Sequence, residues 1–188
     1  MTLAKTLAFE LQKMPHLAKN ALIVSTASIL LGLCAHISIP LPFTPVPLVL
    51  QNTLVLLLSV VLGPKRAFAA VAAFLAQGAI GLPVFAGGAA GLLIFAGPRG
   101  GYLIGYLAAS LITAAIVEKC KTRSLTQTLY AMLAGLAITY ACGAAWLAII
   151  LHSLPQALLL GVAPFLLGDA LKIALSLKAL HTLGWGKQ

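Results

Sequence analysis

Acidic side chains are nearly missing from this chain. Glu10, Glu118 and Asp169 are the three it has, against twelve lysines and arginines in 188 residues. Charged residues of either sign make up 8%, where soluble domains carry about a quarter, so the chain cannot cover a surface that faces water. Cysteine is scarce too. Cys34, Cys120 and Cys142 are scattered, odd in number and without metal-ligand spacing, so they read as reduced or buried thiols. No G-x-x-x-x-G-K-[ST] phosphate loop occurs, and no Ser/His/Asp or Cys/His set can be assembled. Neither an enzyme nor a metal or other cofactor is therefore expected. The basic excess forms no stripe with interleaved aromatics, which argues against nucleic acid as a partner. Residues 1–19 mix Lys5, Lys13 and Lys19 with apolar residues and lack the continuous apolar stretch of a signal peptide.

What the chain does have is apolar length. It is 61% hydrophobic, with a mean hydropathy of +1.07. Residues 20–64, 67–98, 100–117 and 124–168 carry no charge at all. Each run can hold one or more of the roughly 20-residue spans that cross a 30 Å hydrocarbon core. The expectation is an all-α, polytopic membrane protein, with a single transmembrane domain over residues 21–180 and a cytoplasmic tail over 181–188. Six spans are expected at about 21–39, 48–62, 67–80, 102–117, 128–151 and 156–180. The second and third are short, so either they extend into their loops or the bilayer is locally thin. Ahead of them, Leu3, Leu7, Leu11, Met14 and Leu17 recur at helical spacing among lysines. Residues 1–20 are thus an amphipathic helix on the membrane surface or a frayed basic tail.

With six spans, ten of the twelve cations fall on one side, Arg99 alone falls on the other, and Lys172 lies inside a span. Cytoplasmic loops are enriched in Lys and Arg, so both termini are expected in the cytoplasm. Two connectors stand out. Residues 40–47, PLPFTPVP, hold four prolines and cannot be helical. Residues 82–101 are glycine-rich yet apolar, and irregular backbone at membrane depth survives only where it is buried in protein or lines a cavity.

Asp169 and Lys172 are the strongest functional candidates. A charge at the bilayer centre costs about 2.5–3.5 kcal/mol, and residues at i and i+3 share a helix face. The pair either offers an acceptor and a donor to one polar ligand, or satisfies itself and only locks helix packing. Pro164 and Gly168 nearby could loosen the helix and free carbonyls toward such a site. Arg99, flanked by Gly97, Pro98, Gly100 and Gly101, can hold a carboxylate bidentately or face lipid headgroups. Tyr102 and Tyr106, one turn apart below it, can wall a pocket or form an interfacial belt. Among Gln51, Asn52 and Gln77, at least two are expected to hydrogen-bond between helices, and Gln51, beside the proline-rich loop, has the better claim on a ligand. Small residues at Ala21-x-x-x-Ser25 and Ser28-x-x-x-Gly32 permit close helix approach.

An ordered set of motifs resembles a known family. It runs Pro45-Val46-Pro47-Leu48-x-x-Gln51, Leu62-Gly63-Pro64-Lys65-Arg66, Gly78-x-x-Gly81-Leu82-Pro83-Val84-Phe85, Gly97-Pro98-Arg99-Gly100-Gly101-Tyr102-x-x-Gly105 and Gly168-Asp169-x-x-Lys172. Together these resemble the BioY family, the biotin-binding S components of energy-coupling-factor transporters. The resemblance implies six helices, a biotin pocket near the outer surface of the bacterial cytoplasmic membrane, and partners comprising a membrane coupling protein and two ATPases. It also brings the loop positions Phe85 and Gly87 into the substrate-binding set with Asp169, Lys172, Arg99, Tyr102, Tyr106 and Gln51. The chain departs from the family at Ala86-Gly87-Gly88-Ala89-Ala90, where a small polar side chain is common. The chemistry suits biotin: its cyclic urea has two N–H donors and one carbonyl, and its valerate tail ends in a carboxylate that Arg99 could hold. A self-sufficient, proton-coupled vitamin transporter is the competing reading.

Overall fold

The computed structural model describes residues 15–120 and 124–186. Most of the segment expected as an amphipathic helix, together with Lys121, Arg123 and Lys187, lies outside the described residues. Helix α1 (His16–Ala35) is followed by a two-stranded antiparallel ribbon, β1 (Ser38–Ile39) and β2 (Leu48–Val49), that frames the proline-rich loop. Then come α2 (Gln51–Leu62), α3 (Pro64–Ala79), a 3-10 turn at Ala86–Gly88 and the short α4 (Leu93–Ala96). Two long helices, α5 (Gly100–Lys119) and α6 (Leu125–Leu151), lead to α7 (Leu154–Gly161), a 3-10 turn at Ala163–Phe165, and α8 (Leu166–Thr182).

Local chemistry explains where the helices start and stop. Ser124 caps α6 by accepting from the Gln127 amide at 3.2 Å, and Ser153 does the same for α7 with the Gln156 amide at 3.4 Å. Pro64 sits in the first turn of α3, where its missing N–H costs nothing. Helix α1 begins at His16, directly after Pro15, so it crosses the boundary expected at residue 20.

The expected sixth span is not one continuous helix. It breaks between Gly161 and Leu166, because Pro164 cannot donate into a ladder and its ring crowds the preceding turn. The break leaves two carbonyls without helical partners. Thr44 Oγ1 donates to the Leu160 carbonyl at 2.7 Å, and the Tyr102 hydroxyl donates to the Gly161 carbonyl at 2.8 Å. A buried carbonyl left without a partner would cost about 1–3 kcal/mol. The break is therefore held from outside, by the proline-rich loop and by α5.

Four of the described segments are long and apolar enough to cross a membrane: His16–Ala35, Gly100–Lys119, Leu125–Leu151 and Leu154–Thr182. At 1.5 Å per residue, α2 is only ~18 Å long. The ribbon and the proline-rich loop continue the chain at its N-terminal end. The outer surface is greasy: Ile29, Leu33, Ile104, Leu133, Ile149, Leu159, Leu171 and Leu175 are all exposed. In water such a surface would aggregate; in lipid it is at home.

Inside, helices approach closely through small residues. Gly101 and Gly105 of α5 lie one turn apart against Trp146, Cys142 and Thr139 of α6, a Gly-x-x-x-Gly contact. Gly135 of α6 lies against Thr113 Oγ1 and Leu56, where an added Cβ would overlap both. Gly135→Val is expected to cost about 1–3 kcal/mol through overpacking. A lower unfolding midpoint in detergent measures it, with Gly135→Ala falling between it and wild type. Buried hydroxyls mostly bond their own helix, as Ser59 does to the Val55 carbonyl (2.6 Å) and Thr139 to the Gly135 carbonyl (3.1 Å). Ser28 instead donates to Gln77 Oε1 across α1 and α3 at 3.1 Å, the interhelical role expected for that glutamine.

Candidate functional site: a cavity with a buried ion pair

A cavity of about 600 Å³, counting its open mouth, lies where the N-terminal ends of α2, α5 and α8 meet the middle of α6. Because α2, α5 and α8 all run away from it, Lys65 and Arg66, Lys119, and Lys178 lie toward the opposite end of the bundle. Lys19 joins them, since Arg66 Nε donates to the neighbouring Asn20 Oδ1 at 3.0 Å. Arg99 is left at the cavity end.

The proline-rich connector forms one wall through Val46, Pro47, Leu48 and Val49. Thr44 fixes its path, accepting from the Val46 amide at 3.2 Å while donating to Leu160. The glycine-rich connector forms another wall through Phe85 and Ala86. Phe85 lies on Gly78, where any Cβ would sit inside its ring, and meets Phe74 and Phe95 edge to face at 5.4 and 5.6 Å. The chain then turns sharply through Gly87 and Gly88, whose φ values of +72° and +75° suit glycine. Arg99 Nη1 donates to the Ala86 carbonyl at 3.0 Å and so pins this loop to the start of α5.

At the floor sits Asp169, 3% exposed. Its Oδ2 accepts from the Tyr140 hydroxyl at 2.6 Å and from Asn52 Nδ2 at 3.0 Å, and its Oδ1 is paired with the Lys172 ammonium. Lys172 also donates to the Val49 carbonyl at 2.8 Å, tying α8 to strand β2. The two charges therefore bond each other, yet they do so on the cavity wall. Capacity remains. An ionised carboxylate has about four acceptor sites and an ammonium three donors, so Asp169 keeps about one and Lys172 one.

Of the residues expected at the site, Asp169, Lys172, Arg99, Tyr102, Tyr106, Gln51 and Phe85 all line this cavity. Gly87 does not; the turn it makes presents its neighbour Ala86 instead. Asn52, Thr139, Tyr140 and Phe165 line it as well. Tyr140 carried no signal in the sequence, being one of three aromatics in a 27-residue apolar helix. Asn52 did carry one, as a second amide beside Gln51, but read as a helix–helix bond. It makes that bond and faces the cavity too. His36 is accounted for locally, its Nδ1 lying 2.9 Å from the Gly32 carbonyl. Among the described residues, no group of three or more His, Cys, Asp or Glu could hold a metal ion.

An apolar helical bundle with several spans and a charged hollow at one end defines a multi-pass membrane protein. A sequence model of the BioY family matches residues 5–184, and the chain belongs to that family. It is 40% identical over 164 residues to the biotin transporter BioY of Thermotoga maritima, covering 84% of this chain and 94% of that protein. It is 37% identical over 157 residues to a probable biotin transporter BioY of Pyrococcus horikoshii, covering 84% and 91%. The fold is similar to the crystal structure of an S-component for biotin from an ECF-type ABC transporter. That match has a TM-score of 0.79 at 30% identity over 93% of this chain and 95% of the other. The relatives are transport proteins, and this chain is a transporter rather than an enzyme.

Proposed function

We propose that this chain binds biotin and serves its uptake as the S component of an energy-coupling-factor transporter. The observation that carries the reading is the buried Asp169–Lys172 pair, placed on the wall of a cavity and left with about one acceptor and one donor to spare. A cyclic urea answers both, giving an N–H to Asp169 and accepting from Lys172. Arg99 spends one N–H on Ala86 and keeps four for the valerate carboxylate. Tyr102, Tyr106 and Phe85 supply walls for the bicycle, and Gln51 a buried amide.

The six spans of this reading are α1, α2, α3, α5, α6 and the broken pair α7–α8. The gathering of cations at the end away from the cavity supports a cytoplasmic location for both termini and a pocket that opens outward. The chain has no nucleotide-binding motif with which to drive movement, so a membrane coupling protein and two ATPases in the bacterial cytoplasmic membrane would supply the energy. Isothermal titration of the purified chain in detergent is expected to show saturable binding of one biotin per chain. Absence of binding would remove the reading. Uptake by vesicles holding this chain alone, abolished by an uncoupler, would instead favour the proton-coupled alternative.

A further inference from the structure

Resting on the biotin reading, the hydrogen-bond arithmetic of the floor leaves one ligand group unserved. A cyclic urea has two N–H donors, and Asp169 has about one acceptor site free after Lys172, Tyr140 and Asn52 are counted. A second acceptor is needed, because a buried donor without a partner forfeits most of the affinity its burial could give.

Asn52 is placed to be that acceptor. It is 6% exposed, lies in the first turn of α2 and lines the cavity. The direction of its amide is set by chemistry. The carboxylate of Asp169 can only accept, so the group bonded to it at 3.0 Å must be the Asn52 N–H₂. That leaves Oδ1 as the other arm, and Oδ1 is buried with no hydrogen-bond partner among the described residues. Native proteins rarely leave such an atom orphaned unless something else occupies it. The adjacent Gln51 side chain also has a buried amide atom without a partner on the same cavity wall.

We infer that Asn52 is a direct ligand-binding and specificity residue, whose carbonyl oxygen accepts the second N–H of a cyclic urea while its amide group fixes Asp169. The pocket then selects for a ligand with two neighbouring N–H donors, one answered from α8 and one from α2. A lactam or cyclic carbamate of the same shape, with a single N–H, leaves Asn52 Oδ1 unpaired and is rejected.

The test is heteronuclear NMR of ¹⁵N-labelled biotin bound to the purified full chain, which reads its two ureido N–H groups separately. Both are expected to be shifted downfield and protected from exchange in wild type. In Asn52→Ala, one returns toward its free position while the other stays, and titration shows affinity roughly ten- to a hundredfold lower. Asn52→Ser is read in the same way should the alanine variant not fold. A wild-type complex with a single hydrogen-bonded N–H overturns the inference without any variant. So does a variant in which neither signal moves, or in which both move together, since that would place Asn52 behind Asp169 as a support only. Failure of wild type to bind biotin at all refutes the proposed function instead, so the two failures are distinct.

Discussion

Asp169→Asn is expected to weaken biotin binding by at least a hundredfold in the purified protein, which still elutes as a folded species. Three donors converge on this carboxylate: the Lys172 ammonium, the Tyr140 hydroxyl and the Asn52 amide. An asparagine has one acceptor arm and one donor arm, so at least one of the three must face another donor or lose its partner. Removing one member of a buried pair typically costs about 3–5 kcal/mol. That cost appears as a lower unfolding midpoint, and the hundredfold loss of affinity, about 2.7 kcal/mol, is read separately by titration. Tyr140→Phe removes one donor and leaves the charges paired, so its effect is expected to be about 1–2 kcal/mol. Isothermal titration of both variants against biotin measures the contrast. An Asp169→Asn protein that binds like wild type would show that the pair is only a packing element.

The helical class and the positions of most helices could be read from the sequence because charge is so rare. Among the described residues, Lys65 and Arg66 lie in the first turn of α3, Arg99 just before α5 and Lys119 at its end, and Asp169 and Lys172 stood out against the grease. Glycine and proline marked both connectors that wall the cavity. What stayed hidden depends on contacts across long stretches of chain. Tyr140 reaches Asp169 from 29 residues away and Asn52 from 117, and no spacing rule links them. The break in the last segment did leave a signal, Pro164. Whether a proline kinks a membrane helix or ends it depends on what captures the freed carbonyls, and here the captors are Thr44 and Tyr102, far away in the sequence. Strands β1 and β2 were equally hidden. Two residues each are too few for any alternation, and they pair because the proline-rich loop must return to the start of α2.

The position of Tyr102 ties these features together, and Gly143 decides it. An added Cβ at Gly143 would lie inside the Tyr102 ring, and at Gly161 it would meet the Tyr102 hydroxyl. Two glycines from different helices thus make the slot through which the phenol crosses from α5 to the α7–α8 break. Gly143→Val fills that slot. The ring must leave, the Gly161 carbonyl loses its donor, and a cavity wall is displaced at the same time. Overpacking contributes about 1–3 kcal/mol, and the stranded carbonyl about 1–3 kcal/mol more. The expected result is a much lower unfolding midpoint together with loss of measurable biotin binding. Tyr102→Phe keeps the ring in the slot and gives up only the hydroxyl, so it should retain binding and lose stability modestly. If Gly143→Val binds biotin like wild type, Tyr102 is not held where its ring can wall the site. If Tyr102→Phe is as damaging as Gly143→Val, the hydroxyl rather than the close fit secures the break. Ranking the two variants by titration and by thermal unfolding therefore separates shape from hydrogen bonding at a side chain that joins the broken helix to the pocket.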